Sequence, residues 1–427
     1  MSRKRTVITG MAVNTPIGDT LDGFLGALHA GRSSITHWKA FDASGIYSKV
    51  GGDLSGYDIA GKLKALRPAL SPATHARVRK LLARAPWSTS LSVLVAADAW
   101  ADASLETAPI NPRRVGAVIA GHNLNSRYQE RNREEYAAEP DYIDTMFALH
   151  GLDTDHAGSV SEALQTRGPL YTVGAACASS NTALRCAVDE IRHHGMDAVV
   201  VVGAVLDFAP IDLHAMALMG AISFQSFNDR PELASRPYDT RREGFVPSHS
   251  AGALIVESLE SAERRGARIH AEVLAVESSS DGNHRPHPSE DGQSAAMAAA
   301  LESAGVAAEQ IDYVSAHATS TPLGDITEVR SIKRVFGPHA YRLKINAPKS
   351  MLGHTCWAAP AVESVAAILQ MNAGRLHPSI NVETLDPEID LDVCRDGPVA
   401  ADVRWLMKNS FGFGGINCVS VFQSHDA

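Results

Sequence analysis

Short apolar runs and longer amphipathic stretches alternate along the chain. Continuous apolar runs fall at Val7-Ile8, Val115 to Ala120, Ala198 to Val202, Gly252 to Val256 and Tyr313-Val314-Ser315. Runs apolar on both faces predict buried strands covered by helices. Helical periodicity falls at Leu21 to Ala30, Ser88 to Ala101, Ser180 to His194, Gln293 to Ala304 and Glu363 to Met371. This alternation predicts an α/β architecture. The segment Leu170 to Ala204 shows the pattern in small: strand at Tyr171 to Val173, a turn of small residues, a helix to His194, a turn at Gly195, then a strand. A last strand is expected over Val419 to Phe422. A charged helical stretch at 257–268 predicts the boundary between two halves, 1–257 and 258–427, and 280–292 has the composition of a loop.

Composition narrows the classes. With 427 residues, 45% hydrophobic and 20% charged, the chain has the makeup of a globular protein with a sizeable core. At roughly 150 residues per domain, it should hold two or three domains or one large pseudo-symmetric one. A formal net charge of -9 disfavours general affinity for nucleic acid or anionic membrane. No run reaches the ~20 apolar residues of a membrane span. Five scattered cysteines (Cys177, Cys186, Cys356, Cys394, Cys418) form no CxxC pair and fit a reducing compartment. The expectation is a soluble cytoplasmic enzyme.

Four segments carry candidate chemistry. Cys177 lies in Val-Gly-Ala-Ala-Cys-Ala-Ser-Ser-Asn-Thr-Ala-Leu, between a predicted strand and helix. Small neighbours permit a tight turn presenting the thiol, and the helix N-terminus would favour thiolate and supply N–H donors for an oxyanion. A buried inert cysteine remains the alternative. His317 lies in Tyr-Val-Ser-Ala-His-Ala-Thr-Ser-Thr-Pro-Leu-Gly-Asp, where a buried strand enters a hydroxyl-rich loop. His354 lies in Lys-Ser-Met-Leu-Gly-His-Thr-Cys-Trp, close to Lys349, whose charge would favour neutral imidazole. Either histidine alone is as compatible with a structural role as with a catalytic one. A Cys/His/His metal site is disfavoured by ligand spacing, so no metal is expected. In Asn409-Ser-Phe-Gly-Phe-Gly-Gly-Ile-Asn417 the glycines allow close backbone approach, and the phenylalanines can gate a pocket. The segment also reads as a plain turn before the last strand. The basic run Arg77-Val-Arg-Lys-Leu-Leu-Ala-Arg84 can dock an acidic partner or be a solvated helix face.

In this order, Ala-Ala-Cys-Ala-Ser-Ser, Ala-His-Ala-Thr-Ser-Thr-Pro-Leu-Gly-Asp, Lys-Ser-Met-Leu-Gly-His and Asn-Ser-Phe-Gly-Phe-Gly-Gly-Ile-Asn resemble the motifs of β-ketoacyl-acyl carrier protein synthases. Val-Ile-Thr-Gly-Met near the start and Arg-Pro-Tyr-Asp-Thr-Arg-Arg-Glu-Gly-Phe in the middle extend the likeness over essentially the whole chain, and it is greatest for the type II elongating enzymes. The resemblance implies an α/β thiolase fold of five αβαβα layers in two pseudo-symmetric halves, the first carrying the cysteine and the second both histidines, usually in a homodimer. It implies that Cys177 accepts an acyl group, and that His317 and His354 drive decarboxylation of a malonyl thioester. The amides of Cys177 and Phe413 would form an oxyanion hole. Lys349 and Glu363 would support the site, and Phe411 and Phe413 would border the pocket. Arg77, Arg79, Lys80 and Arg84 would dock an acyl carrier protein. No bound cofactor is implied, because the carrier brings the 4'-phosphopantetheine arm.

Departures from the family pattern point to a specialised relative. Pro-Ser-His-Ser-Ala-Gly (247–252) stands where the family usually has Gly-Glu-Gly-Ala-Gly. Ala318 replaces a glycine and Ile416 a threonine. Trp357 and Pro360 follow His354 where small residues are usual, and His122 and Asn123 lie in a replaced glycine-rich stretch near the usual acyl pocket. The added bulk would leave little room for a long acyl chain. Three readings result: a condensing synthase, a malonyl-carrier decarboxylase of the polyketide β-branching kind, or a non-catalytic partner like a chain-length factor. Decarboxylases of that kind are expected to carry serine at the nucleophile position. Partner subunits typically lack the nucleophile altogether, so Cys177 favours the first reading.

Overall fold

A computed structural model describes residues 4–284 and 287–425. Among these, ten strands form one large sheet. In chain order they are β1 (Thr6–Asn14), β2 (Val115–Ala120), β3 (Leu170–Val173), β4 (Ala198–Gly203), β5 (Ala251–Ser258), β6 (Ala271–Ser280), β7 (Tyr313–Ser315), β8 (Lys344–Asn346), β9 (Trp405–Gly412) and β10 (Ile416–Gln423). Their spatial order divides into two blocks, β3-β2-β4-β5-β1 and β8-β7-β9-β10-β6. Counted within its own block, each follows the same order, third-second-fourth-fifth-first. The pairing repeats as well. In both blocks the first two neighbouring pairs from the outer edge are parallel and the next two antiparallel. The blocks join where Thr6 to Ile8 pairs antiparallel with Ala271 to Val273.

The helices that matter here are α1 (Pro72–Leu82), α2 (Trp87–Asp102), α3 (Ser179–His194), α4 (Glu290–Ala304), α5 (Pro322–Phe336) and α6 (Ala359–Ala373). Helix α2 covers the outer face of the first block and α4, backed by α5, that of the second. Helices α3 and α6 pack on each other and touch strands of both blocks, so they form a central layer between them. The result is the five-layer αβαβα arrangement of two similar halves. Sandwiching explains the continuous apolar runs. All six residues of β4, Ala-Val-Val-Val-Val-Gly, are buried because helices cover both faces.

Close approach of α6 depends on small residues. A Cβ on Gly252 would lie 2.8 Å from the backbone nitrogen of Val362, and one on Gly203 would lie 2.9 Å from Ala361 Cβ. The expected strands and helices coincide with observed elements to within a few residues. Strands β6, β8 and β9 were not anticipated: Glu272, Glu277 and a serine run in β6, and Lys408 and Asn409 in β9, break the apolar pattern, and β8 is only three residues long. The expected loop at 280–292 shrinks to the stretch between Ser280 and Glu290, of which residues 285 and 286 lie outside the described residues. Among the described residues, no helix is long and apolar enough to cross a membrane.

Replacing Gly252 with valine forces that side chain into the α6 backbone. The expected outcome is a loss of roughly 1–3 kcal/mol or more, read as a lower urea midpoint. An unchanged midpoint would contradict the close packing.

Candidate active site

Cys177 lies between β3 and α3, two residues before the helix begins. The turn is tight enough to place Ala176 at φ +46°. Ser179 locks it, accepting from the Ala175 amide at 2.8 Å and donating to the Ala176 carbonyl at 2.6 Å. The β9–β10 hairpin presses onto this elbow. A Cβ on Gly412 would lie 2.8 Å from the Ala175 carbonyl oxygen and 3.2 Å from the Cys177 amide nitrogen, so glycine is required there. This contact carries the Phe413 amide to the Cys177 sulfur. The N–H groups at this turn favour thiolate, as the sequence leads one to expect, but burial outweighs them. Burial pushes the Cys177 thiol up to about 11, against the opposing pull of Lys349 and of the Phe413 and Cys177 N–H groups on the sulfur.

His317 follows β7, and its backbone is gripped on both sides. Lys349 Nζ donates to the His317 carbonyl at 2.6 Å. The Glu328 carboxylate of α5 accepts from the amides of His317 (2.8 Å) and Ala318 (2.7 Å), and from Asn409 Nδ2 at 3.0 Å. This grip holds Ala318 at φ +24°, a conformation that favours glycine. His354 follows the short helix Lys349–Leu352. Its amide donates to Val246 at 2.6 Å and its carbonyl accepts from Ser248 at 3.0 Å, so the unusual 247–252 segment scaffolds this histidine. The two imidazoles face each other at 5.5 Å between centroids and nearly perpendicular, with Phe411 edge-on to His317 and Phe245 edge-on to His354. Both ring nitrogens of His354 are buried and without a hydrogen-bond partner among the described residues. Burial, then Lys349 and Lys408 together with the neighbouring imidazole in the case of His317, hold both imidazoles well below their ordinary pKa. They are therefore neutral donors.

Beneath them, Glu363 of α6 pairs with Lys349 at 2.5 Å and with Lys408 of β9 at 2.8 Å, all three buried. A cavity of about 360 Å³ joins Cys177, His317, His354, Phe411 and Phe413, with Leu323 and Met219 exposed at its rim. Such an arrangement can hold a carbonyl oxygen between neutral N–H donors beside a thiol. Cys177, His317 and His354 converge although far apart in sequence. Among the described residues no group of three His, Cys, Asp or Glu side chains is disposed to hold a metal ion.

Other expected site residues lie elsewhere. Trp357 stacks on His122 at 4.1 Å, and His122 in turn lies against Gly174, in the turn leading to Cys177. Trp357 shares the apolar cluster that also contains Cys177, Leu124 and Cys356. Neither Trp357 nor His122 lines the cavity. Asn123 is exposed, its amide bonded to Asp153 at 2.9 Å, and it does not border this cavity. Arg77 also departs from expectation. Its guanidinium turns inward to the Ala163 carbonyl (3.0 Å) and Thr74 Oγ1 (2.7 Å), leaving Arg79, Lys80 and Arg84 exposed on and just beyond α1. Sequence reasoning missed Lys408, Glu328 and Phe245. A lone lysine inside the apolar run Trp-Leu-Met-Lys was the one available signal for Lys408.

Residues 3–262 match the family model "Beta-ketoacyl synthase, N-terminal domain" and residues 270–383 match "Beta-ketoacyl synthase, C-terminal domain". The 3-oxoacyl-[acyl-carrier-protein] synthase 2 of Coxiella burnetii is 33% identical over 420 residues, covering 98% of each chain. Its namesake from Synechocystis is 32% identical over 429 residues, covering 100% of this chain and 99% of that one. Among solved structures, a type II polyketide ketosynthase bound to its acyl-carrier protein and a hexaketide superposes with a TM-score of 0.86 at 27% identity, covering 99% of this chain and all of that one. The ishigamide ketosynthase/chain length factor gives 0.87 at 29% identity, with 99% and 100% coverage.

The raised thiol pKa sets a pH dependence. Thiolate is a small fraction at neutral pH, so alkylation of Cys177 by iodoacetamide should rise about tenfold per pH unit from pH 7 to pH 10. Tryptic mass mapping of the label measures it, and a plateau below pH 9 would contradict the burial argument.

Proposed function

The chain belongs to the β-ketoacyl synthase family, whose members named above are acyltransferases, and from that premise we propose that it decarboxylates a carrier-bound malonyl thioester and joins the enolate to a short acyl group on Cys177. The observation that carries this reading is one cavity bordered by the thiol, two amides directed at its sulfur and two neutral imidazoles. Cys177 first takes the acyl group from a carrier thioester, and the carrier thiol leaves with the proton. The malonyl thioester carbonyl then accepts hydrogen bonds from His317 and His354. The bond to the carboxylate breaks, CO₂ departs, and the electron pair passes into the enolate, where neutral donors stabilise the developing charge. The enolate carbon attacks the acyl carbonyl on Cys177, and the N–H groups of Cys177 and Phe413 hold the oxyanion. Its collapse breaks the C–S bond and returns the thiol after protonation.

In this reading the phosphopantetheine arm arrives on an acyl carrier protein, with no separate cofactor. Exposed Arg79, Lys80 and Arg84 offer an acidic carrier a docking patch on a protein of net negative charge. The protein acts in the cytoplasm and pairs as a homodimer through the open edge of β3, where Leu170 is exposed. The His122–Trp357 stack beside the Cys177 turn limits the acyl group to a few carbons. The same stack favours a second reading, decarboxylation without condensation, in which acetyl-carrier is the product. The chain-length-factor reading would leave Cys177 and both imidazoles without a task.

Intact-protein mass spectrometry separates these readings. Enzyme is mixed with malonyl-carrier protein, with and without acyl-carrier primers. An acyl adduct on Cys177 and a β-ketoacyl-carrier are expected with acetyl primer, and longer primers should enter only the Trp357→Ala variant. Acetyl-carrier as the sole product from every primer would select the decarboxylase, and unchanged malonyl-carrier would refute both. His317→Ala or His354→Ala should slow CO₂ release by roughly 10²-fold or more. The dimer is checked by light scattering, where a single-chain mass at every concentration would reject it.

A further inference from the structure

Glu363 faces two ammonium groups. Lys349 is bound to one carboxylate oxygen at 2.5 Å and Lys408 to the other at 2.8 Å. Lys408 is fully buried and also bonds the Asn409 carbonyl and, at 3.3 Å, Ser410 Oγ. Lys349 already neutralises Glu363 and grips the His317 carbonyl, so ion pairing alone gives no reason for a second buried lysine. Burying an ammonium is costly unless its charge is needed. The need lies in the second carboxylate. Glu328, bonded to the amides of His317 and Ala318, is buried, and among the described residues it forms no ion pair with a lysine or arginine. Two ammonium and two carboxylate groups sum to zero, and without Lys408 the set would carry one negative charge.

We propose that Lys408 is a positioning residue for the reaction, whose buried charge balances Glu328 and keeps His317 and His354 neutral and able to donate to a developing enolate. This rests on the reaction proposed above. Lys408 does not border the cavity, so it acts through its field and not by touching substrate. Among the described residues, the titratable and charged groups around the imidazoles are Lys349 from the short helix before His354, Glu328 from α5, Glu363 from α6, Lys408 from β9, Cys177 from its elbow, and each ring for the other, with Asp281 and His287 also bordering the cavity. A net negative set would favour imidazolium, which raises the imidazole pKa, and would oppose an anion beside it. With Lys408 in place the electrostatics run the other way.

The test uses full-length Lys408→Gln and Lys408→Arg. Release of CO₂ from malonyl-carrier is followed from pH 5 to pH 9, and histidine protonation is read by NMR on protein labelled with ¹⁵N-histidine, without substrate. In Lys408→Gln the acid limb of the rate profile should lie about one pH unit higher than in wild type, as a pKa rise of about one unit requires. His317 or His354 should begin to titrate in the same range. Lys408→Arg should keep the wild-type limb. A folded Lys408→Gln whose profile superimposes on wild type after scaling would overturn the proposal, as would Lys408→Arg matching Lys408→Gln. Failure of both variants to fold would assign Lys408 to packing and overturn it as well. If wild-type protein releases no CO₂, the proposed reaction fails, while the NMR titration still decides the role of Lys408.

Discussion

The Glu363 carboxylate, buried in the central helix layer, is the tie on which the site depends. One oxygen holds Lys349 and the other Lys408. Through Lys349 the tie reaches the His317 carbonyl, and through β9 it reaches the hairpin that brings Phe413 to Cys177. The carboxylate belongs to the first turns of α6, the lysines to a short helix and a strand, and the imidazoles to two loops. Charge pairing in a water-poor interior holds such groups only when each charge finds a partner. Glu328 makes the complementary tie, taking the backbone of His317 and Ala318 from the opposite side.

These ties sustain local strain. Ala176 and Ala318 both adopt positive φ, beside the thiol and the first imidazole respectively. Each costs of order 1 kcal/mol or more for a residue with a Cβ and persists because hydrogen bonds donated by the turn backbone to Ser179 and Glu328 over-determine the turn. Burial acts in two directions on the same cavity. It makes both imidazoles neutral, as donors to an enolate must be, and it makes the thiol a poor acid. The amides aimed at the sulfur and the charge on Lys349 offset part of that second effect.

Much of the scaffold was legible in the sequence, and for a physical reason. A strand covered on both faces must be apolar throughout, so β2, β4, β5 and β7 announce themselves as runs of Val, Ile, Ala and Tyr. Helices α2 and α3 lie beside them with helical spacing. Strand β6 escaped because its serines and glutamates break the apolar run. They are tolerated in a strand that pairs with β10 along nearly its whole length, and that pairing is a tertiary fact. The motif cysteine and histidines were legible as well, because tight turns after buried strands leave a local signature of small residues.

Local sequence therefore determined where the strands, helices and reactive side chains lie, since burial period and turn chemistry are properties of neighbours along the chain. Only the tertiary structure decided what those side chains meet. It turned Arg77 inward, left Asn123 in solvent, set Trp357 against His122 in the apolar cluster that holds Cys177, and gave Glu363 a second lysine from a strand 45 residues away in sequence. Such contacts join segments that no periodicity links. Their energies depend on distance and dielectric in the folded interior, and those exist only once the two halves have closed on the central helices.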